Sequence, residues 1–350
     1  MTESVAATFS HLINLADEGL GARALAASDE FFAPKENLLK PGRGEFLPEA
    51  YTDRGKLMDG WESRRKRVAG HDWCIVQLGT PGMIRVLDID TNHFLGNHPP
   101  YASVEALRLE GTAQLGALER AAWTEILPQV PLRPGSQNIF PVSHDPTWPR
   151  SWTHLRLNIF PDGGVARLRA HGDVDPDWTV IDPDPEVDAL VEDGEVDLVS
   201  VRSGGLALAC SDMFFGPMNN LILPGRAKNM GGGWETRRRR GPGFDWIVLR
   251  LGAPGTVGLV EIDTNHFKGN YPDAASLEGI MAPGAPLTEI VAPSAAWQGV
   301  LPEVKLNAHE RHFFREEIVR RGPFSHVRLS IFPDGGISRL RVFGRRNGAR

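Results

Sequence analysis

The sequence predicts an all-β protein of two tandem β-sandwich domains, each of jelly-roll type. Three observations carry this expectation: a long internal repeat, stretches that alternate apolar and polar residues, and Gly- and Pro-rich punctuation between them. At 350 residues the chain exceeds the usual size of one domain, and 41% hydrophobic with 23% charged residues is an ordinary globular balance.

The repeat begins with ASDEFFAPKENLLKPGR at 27–43, which returns as CSDMFFGPMNNLILPGR at 210–226, 183 positions on. MDGWESRRKR at 58–67 returns as GGGWETRRRR at 231–240, only 173 positions on, so the first copy holds ten extra residues around 44–55. DIDTNHFLGN at 88–97 and EIDTNHFKGN at 261–270 keep the 173 offset, and HLRLNIFPDGG from His154 matches HVRLSIFPDGG from His326, 172 positions on. A register held over nearly a whole half means domain duplication rather than a short solenoid repeat. The acidic, Pro-containing stretch 173–195 reads as a linker, giving domains at 1–182 and 183–350.

Within each copy the elements follow in order. DWCIVQLGTPGMIRVLDID alternates on both sides of Pro81-Gly82, and DWIVLRLGAPGTVGLVEID does so around Pro254-Gly255, each predicting a half-buried hairpin. YASVEALRLE at 101–110 has helical spacing. HLRLNIFPDGGVARLRAHG predicts a second hairpin, with Leu155, Leu157 and Ile159 on one face and Asp162-Gly163-Gly164 in the turn.

Charge and composition exclude several function classes. The formal net charge is −6, and RRRR at 237–240 is too short to form a phosphate-binding surface, so no nucleic-acid partner is expected. No apolar run approaches the roughly 20 residues of a membrane span, and the N-terminal stretch lacks the regions of a signal peptide. A cytoplasmic location without a membrane partner is expected. Cys74 and Cys210 lie in different halves and face Ile247 and Ala27 of the other copy, so neither disulfides nor thiolate zinc belong to the design. P-loop, GxSxG and CxxC motifs are missing, and with them the usual parts for nucleotide hydrolysis, serine acyl transfer and dithiol chemistry.

Two constellations can do chemistry. Trp61, Glu62 and Arg64, with Trp234, Glu235 and Arg237, precede the first hairpin, where an Arg fork can meet a carboxylate. The alternative is a surface Glu–Arg pair beside a Trp that plugs the sandwich mouth. Asn92 and His93, with Asn265 and His266, follow the same hairpin, and a His beside carboxylates suits general acid–base work or metal binding. Here the alternative is a turn in which Asp90 and Thr91 bond the local backbone. His154 and His326 open a strand and read as structural. Glu62, Asp90, His93 and His154 could supply metal ligands, but no HxH or HExxH spacing gathers them. No cofactor is therefore expected, with a divalent ion such as Mn²⁺ left open.

DGWESRRKR, GGGWETRRRR, EIDTNHFKGNYP and LSIFPDGGISRLRVFG resemble the allantoicase family, and the likeness spans essentially residues 20–345. The resemblance implies tandem jelly-roll domains of galactose-binding-like type and a homo-oligomer. It also implies a hydrolase of C–N bonds in linear amidines, cleaving allantoate to ureidoglycolate and urea during allantoin degradation in purine metabolism. Under it, Arg64 and Arg237 clamp the substrate carboxylate, and Trp61, Trp234, Asn92 and Asn265 contact the substrate. Glu62, His93, Glu235 and His266 divide the acid and base roles. Gly232 departs from the family, which usually has an acid where the first copy retains Asp59. A non-catalytic binding sandwich, or a scaffold subunit that has lost activity, is the rival class.

Overall fold

The computed structural model describes residues 9, 12–46, 49, 51–53, 55–56, 58–111, 114–178 and 184–348. The chain divides into two compact units, Met1–Asp175 and Pro176–Arg350. The boundary expected between 182 and 183 lies outside the described residues.

In the first unit one strand organises the rest. Asp72–Asp90 runs unbroken for 19 residues. Its first half pairs with Arg23–Ala27 and Trp152–Phe160, its second half with Arg167–Val174 and Gln137–Pro141. Tyr101–Leu107 and Thr124–Pro131 continue the sheet beyond Trp152–Phe160, and Ile13–Asn14 continues it beyond Arg167–Val174, so that eight strands form one hydrogen-bonded sheet folded about the long strand. Alternate side chains of both layers enclose a core that includes Trp61, Val76, Leu87, Ile89, Leu157 and Leu168. The second unit repeats the plan around Asp245–Asp263, with Leu206–Cys210 and Phe324–Phe332 on its first half and Arg339–Arg346 and Arg311–Phe314 on its second.

Three local expectations are corrected by this topology. Pro81-Gly82 is not a hairpin turn but the point where the long strand changes partners, since Gly82 faces both Trp152 and Val174. A Cβ there would lie 2.6 Å from the Asp173 carbonyl oxygen, so the glycine serves close packing rather than a turn. Pro254-Gly255 behaves alike, with a Cβ on Gly255 2.6 Å from the Arg345 carbonyl. The second hairpin is also absent: Trp152–Phe160 and Arg167–Val174 join different halves of the long strand, and Asp162-Gly163-Gly164 is the crossover between them. Finally, the helical spacing of 101–110 gives way to the strand Tyr101–Leu107. Strands flank it on both sides, so Ala102, Val104 and Ala106 turn inward while Glu105 turns out to pair with Arg156 at 2.6 Å.

Candidate active site

The short strand Trp61–Glu62 pairs with Gly164–Val165 of the crossover. Strand alternation sends Trp61 into the core and Glu62 outward. The Glu62 carboxylate accepts a 2.6 Å hydrogen bond from Asn97 Nδ2. Burial pushes its pKa above the usual carboxylate value, against the opposing pull of that bond.

His93 reaches the same place from the end of the long strand. Asn92 N–H donates to Asp90 Oδ1 at 2.8 Å, and buried Thr91 donates its hydroxyl to the Arg133 carbonyl at 2.6 Å. This turn delivers His93 in the left-handed region at φ 69°, a conformation few non-glycine residues adopt. Its Nε2 lies 3.0 Å from the Gly44 carbonyl, which can only accept, so Nε2 carries the proton and Nδ1 is the nitrogen able to take one. Phe46, from the ten-residue insertion, stacks on the ring at 5.5 Å. Glu62, Asn97, His93 and Phe46 line one cavity of about 360 Å³.

The second unit reproduces the polar part. Asn270 Nδ2 donates to Glu235 at 2.5 Å, His266 has φ 72°, and its Nε2 lies 2.9 Å from the Ala227 carbonyl. One feature is new: the His266 N–H donates to Nδ1 of His309, where the first copy has Gly135.

The other expected site residues make contacts within the fold. Trp61 and Trp234 are fully buried, with indole N–H groups donating to the Asp29 and Asp212 carbonyls at 2.8 and 2.9 Å. Neither offers a surface to a ligand. Arg64 already holds a carboxylate, that of Asp29, through Nε and Nη2 at 2.7 Å, and stacks on Phe31. Arg237 repeats this with Asp212 and Phe214. The expected substrate clamp is thus filled by the protein's own acid. Asn92 turns its amide to the Gly44 carbonyl at 3.3 Å, and the Asn265 amide nitrogen is buried without a partner among the described residues. Sequence reading missed Asn97, Asn270 and Phe46. The repeated GN that closes both copies of the motif was the available signal for the first two.

His154 and His326 are buried, each with Nδ1 2.9 Å from a neighbouring hydroxyl. Burial, with Arg250 nearby, lowers the pKa of His326 to about 4. An unfolded His titrates near 6.5, so the fold resists protonating this ring and stability falls as pH drops from about 6.5 to about 4. His326→Gln is expected to flatten that part of a thermal-midpoint profile against pH, and an unchanged slope would remove His326 as a cause.

Among the described residues no three His, Cys, Asp or Glu side chains gather as a metal site would require, and no helix is long and apolar enough to cross a membrane. Comparison with known proteins places these features. The family model described as Allantoicase repeat matches residues 13–175 and 196–347. The chain belongs to the allantoicase family. A probable allantoicase of Pseudomonas aeruginosa (strain UCBPP-PA14) is 46% identical over 339 residues, covering 97% of each chain. Probable allantoicase 1 of Burkholderia mallei (strain ATCC 23344) is 46% identical over 332 residues, 95% of this chain and 94% of the relative. The crystal structure of allantoicase from Saccharomyces cerevisiae superposes with a TM-score of 0.79 at 33% identity, over 96% of this chain and 94% of that one. The chain is thus two family repeats, each a β-sandwich built on the same strand order. The difference between Asp59 in the first repeat and Gly232 in the second has a physical reading. In the first repeat Asp59 holds Arg167 at 2.6 Å and the Glu45 N–H at 2.9 Å. In the second, Arg339 instead donates to the carbonyls of Gly232 at 2.6 Å, Asn220 at 3.1 Å and Gly225 at 3.0 Å. The acid anchors a loop that the second allantoicase repeat lacks.

Proposed function

We infer that this chain is an allantoicase: it hydrolyses allantoate to ureidoglycolate and urea in purine degradation. The observation that carries the reading is the full-length relationship to allantoicases across both repeats. Allantoate bears a carboxylate and two ureido groups on one carbon. The nitrogen of one ureido group expels the other as urea, and water adds to the imine-like carbon that remains. The leaving nitrogen needs a proton and the water needs a base. Glu62, its carboxyl raised by burial, suits the acid, and Nδ1 of His93 suits the base. Glu235 and His266 take the same roles in the second repeat, and Asn97 and Asn270 orient the two carboxyls. The enzyme works as a cytoplasmic homo-oligomer in this reading, a location supported by two unpaired cysteines. Purified protein incubated with allantoate is expected to release urea. No urea, with or without added Mn²⁺, would overturn the assignment.

A further inference from the structure

We propose that the second repeat also holds a site for a small carboxylate bearing N–H donors, with Arg226 and Arg341 taking the carboxylate and Glu261 and Asp263 accepting from the donors. The proposal rests on the allantoicase reading only for which carboxylate fills the site.

A cavity of about 330 Å³ lies beside the end of the long strand and is lined by these four residues among others. That size suits a small ligand. Arg341 is 7% exposed. Its Nη2 is committed to the Leu223 and Gly225 carbonyls at 2.6 and 2.9 Å, and its Nε reaches Asp197 at only 3.5 Å. Its Nη1 is buried and has no partner among the described residues. An idle buried guanidinium N–H is costly unless something fills the space before it. Arg226 is half exposed and loosely held, 3.9 Å from Glu186 and 4.0 Å from Asp263. By contrast Arg311 is fully engaged, by Glu261 at 2.7 Å, Asp184 at 2.9 Å and Glu186 at 2.7 Å. Arg226 and Arg341 therefore each keep N–H groups for a carboxylate. Glu261 gives one oxygen to Arg311, and Asp263 gives one to the Asn265 N–H at 2.7 Å. Each keeps a second oxygen that can accept from a ligand.

The first repeat repeats the signature. Arg169 commits Nη2 to the Lys40 and Gly42 carbonyls at 2.6 and 2.5 Å, and its Nη1 is again buried and idle. Arg43, the counterpart of Arg226, is half exposed beside Asp90 at 3.3 Å. The same idle nitrogen at matching positions is a property of the domain rather than of one side chain. The copies differ in having Gln137 for Arg311 and Asp88 for Glu261. The site also adjoins the catalytic loop, because Ala227, next to Arg226, holds the His266 ring.

Hydantoate, with one carboxylate and one ureido group but no second ureido to expel, is the probe. Calorimetry on the full chain is expected to show binding that weakens about tenfold or more in Arg226→Gln. That half-exposed side chain has only long ion pairs to lose, so folding is kept. Arg341→Lys, which keeps charge but removes the fork, is expected to weaken binding likewise. Wild-type affinity in both variants, or no hydantoate binding by the wild type, overturns the site. Kinetics separate its source. A rise in KM for allantoate with kcat held in Arg226→Gln supports the substrate as ligand. An unchanged KM with lost modulation of turnover by hydantoate supports a separate carboxylate. Glu62→Gln with Glu235→Gln is expected to bind hydantoate normally while releasing no urea, so a failed catalytic assignment is distinguishable from a failed site.

Discussion

The double replacement Glu62→Gln, Glu235→Gln is expected to lower kcat on allantoate by about 10²–10⁴-fold with little change in KM. Glutamine presents the same oxygen to Asn97 and Asn270, so the strands around it keep their hydrogen bonds, but it has no proton to give the departing urea. Single replacements then report on the duplication. Independent sites leave about half the activity after each change, whereas a site assembled from both repeats loses nearly all of it after either. The pH profile adds a second readout. A general acid fails as pH rises through its pKa, and for Glu62 that pKa sits above the usual value because of burial. The Asn97 hydrogen bond favours the ionised carboxylate and holds the value down, so Asn97→Leu is expected to move the alkaline limb of the first repeat's activity to higher pH. Retention of more than about a tenth of wild-type kcat by the double variant would exclude these carboxyls as the acid.

Fold class and duplication are legible in the sequence, because they depend on patterns that do not require knowing partners. Alternation of period two reads the same whether the chain turns back or runs on. That is why the residues on either side of Pro81-Gly82 predict a hairpin, whereas they form one strand that changes partners midway. Turn chemistry misleads for the same reason: Gly82 is required by the Asp173 backbone and the Leu15 side chain, and Gly164 by the Phe94 ring packed against it, not by a turn. Side-chain roles were legible only where the partner is local. The bond from Asp90 to the Asn92 N–H lies within the motif, so the turn beneath His93 could be anticipated. Asp29 is 35 positions from Arg64, and only the fold shows that the guanidinium is already occupied. The pairing of Asn97 with Glu62 spans the same distance and was missed for the same reason.

Trp234→Ala is expected to produce the largest loss of stability of any single change discussed, on the order of 3–5 kcal/mol. The side chain is fully enclosed, so its removal opens a cavity that the strands around it cannot collapse to fill. It also orphans the Asp212 carbonyl, which accepts the indole N–H at 2.9 Å. Asp212 is the residue that fixes Arg237 through its side chain, so the damage spreads to the segment that follows Glu235. In a unit of this size the loss corresponds to a fall of roughly 10 °C in its thermal midpoint. Trp234→Phe separates packing from contact with substrate. Phenylalanine fills most of the space and loses the N–H bond, at a cost of about 1 kcal/mol. If Trp234 acts only from the core, that variant has lower stability and wild-type KM for allantoate. A raised KM at undiminished stability would instead mean that the indole reaches the substrate in a conformation more open than this one.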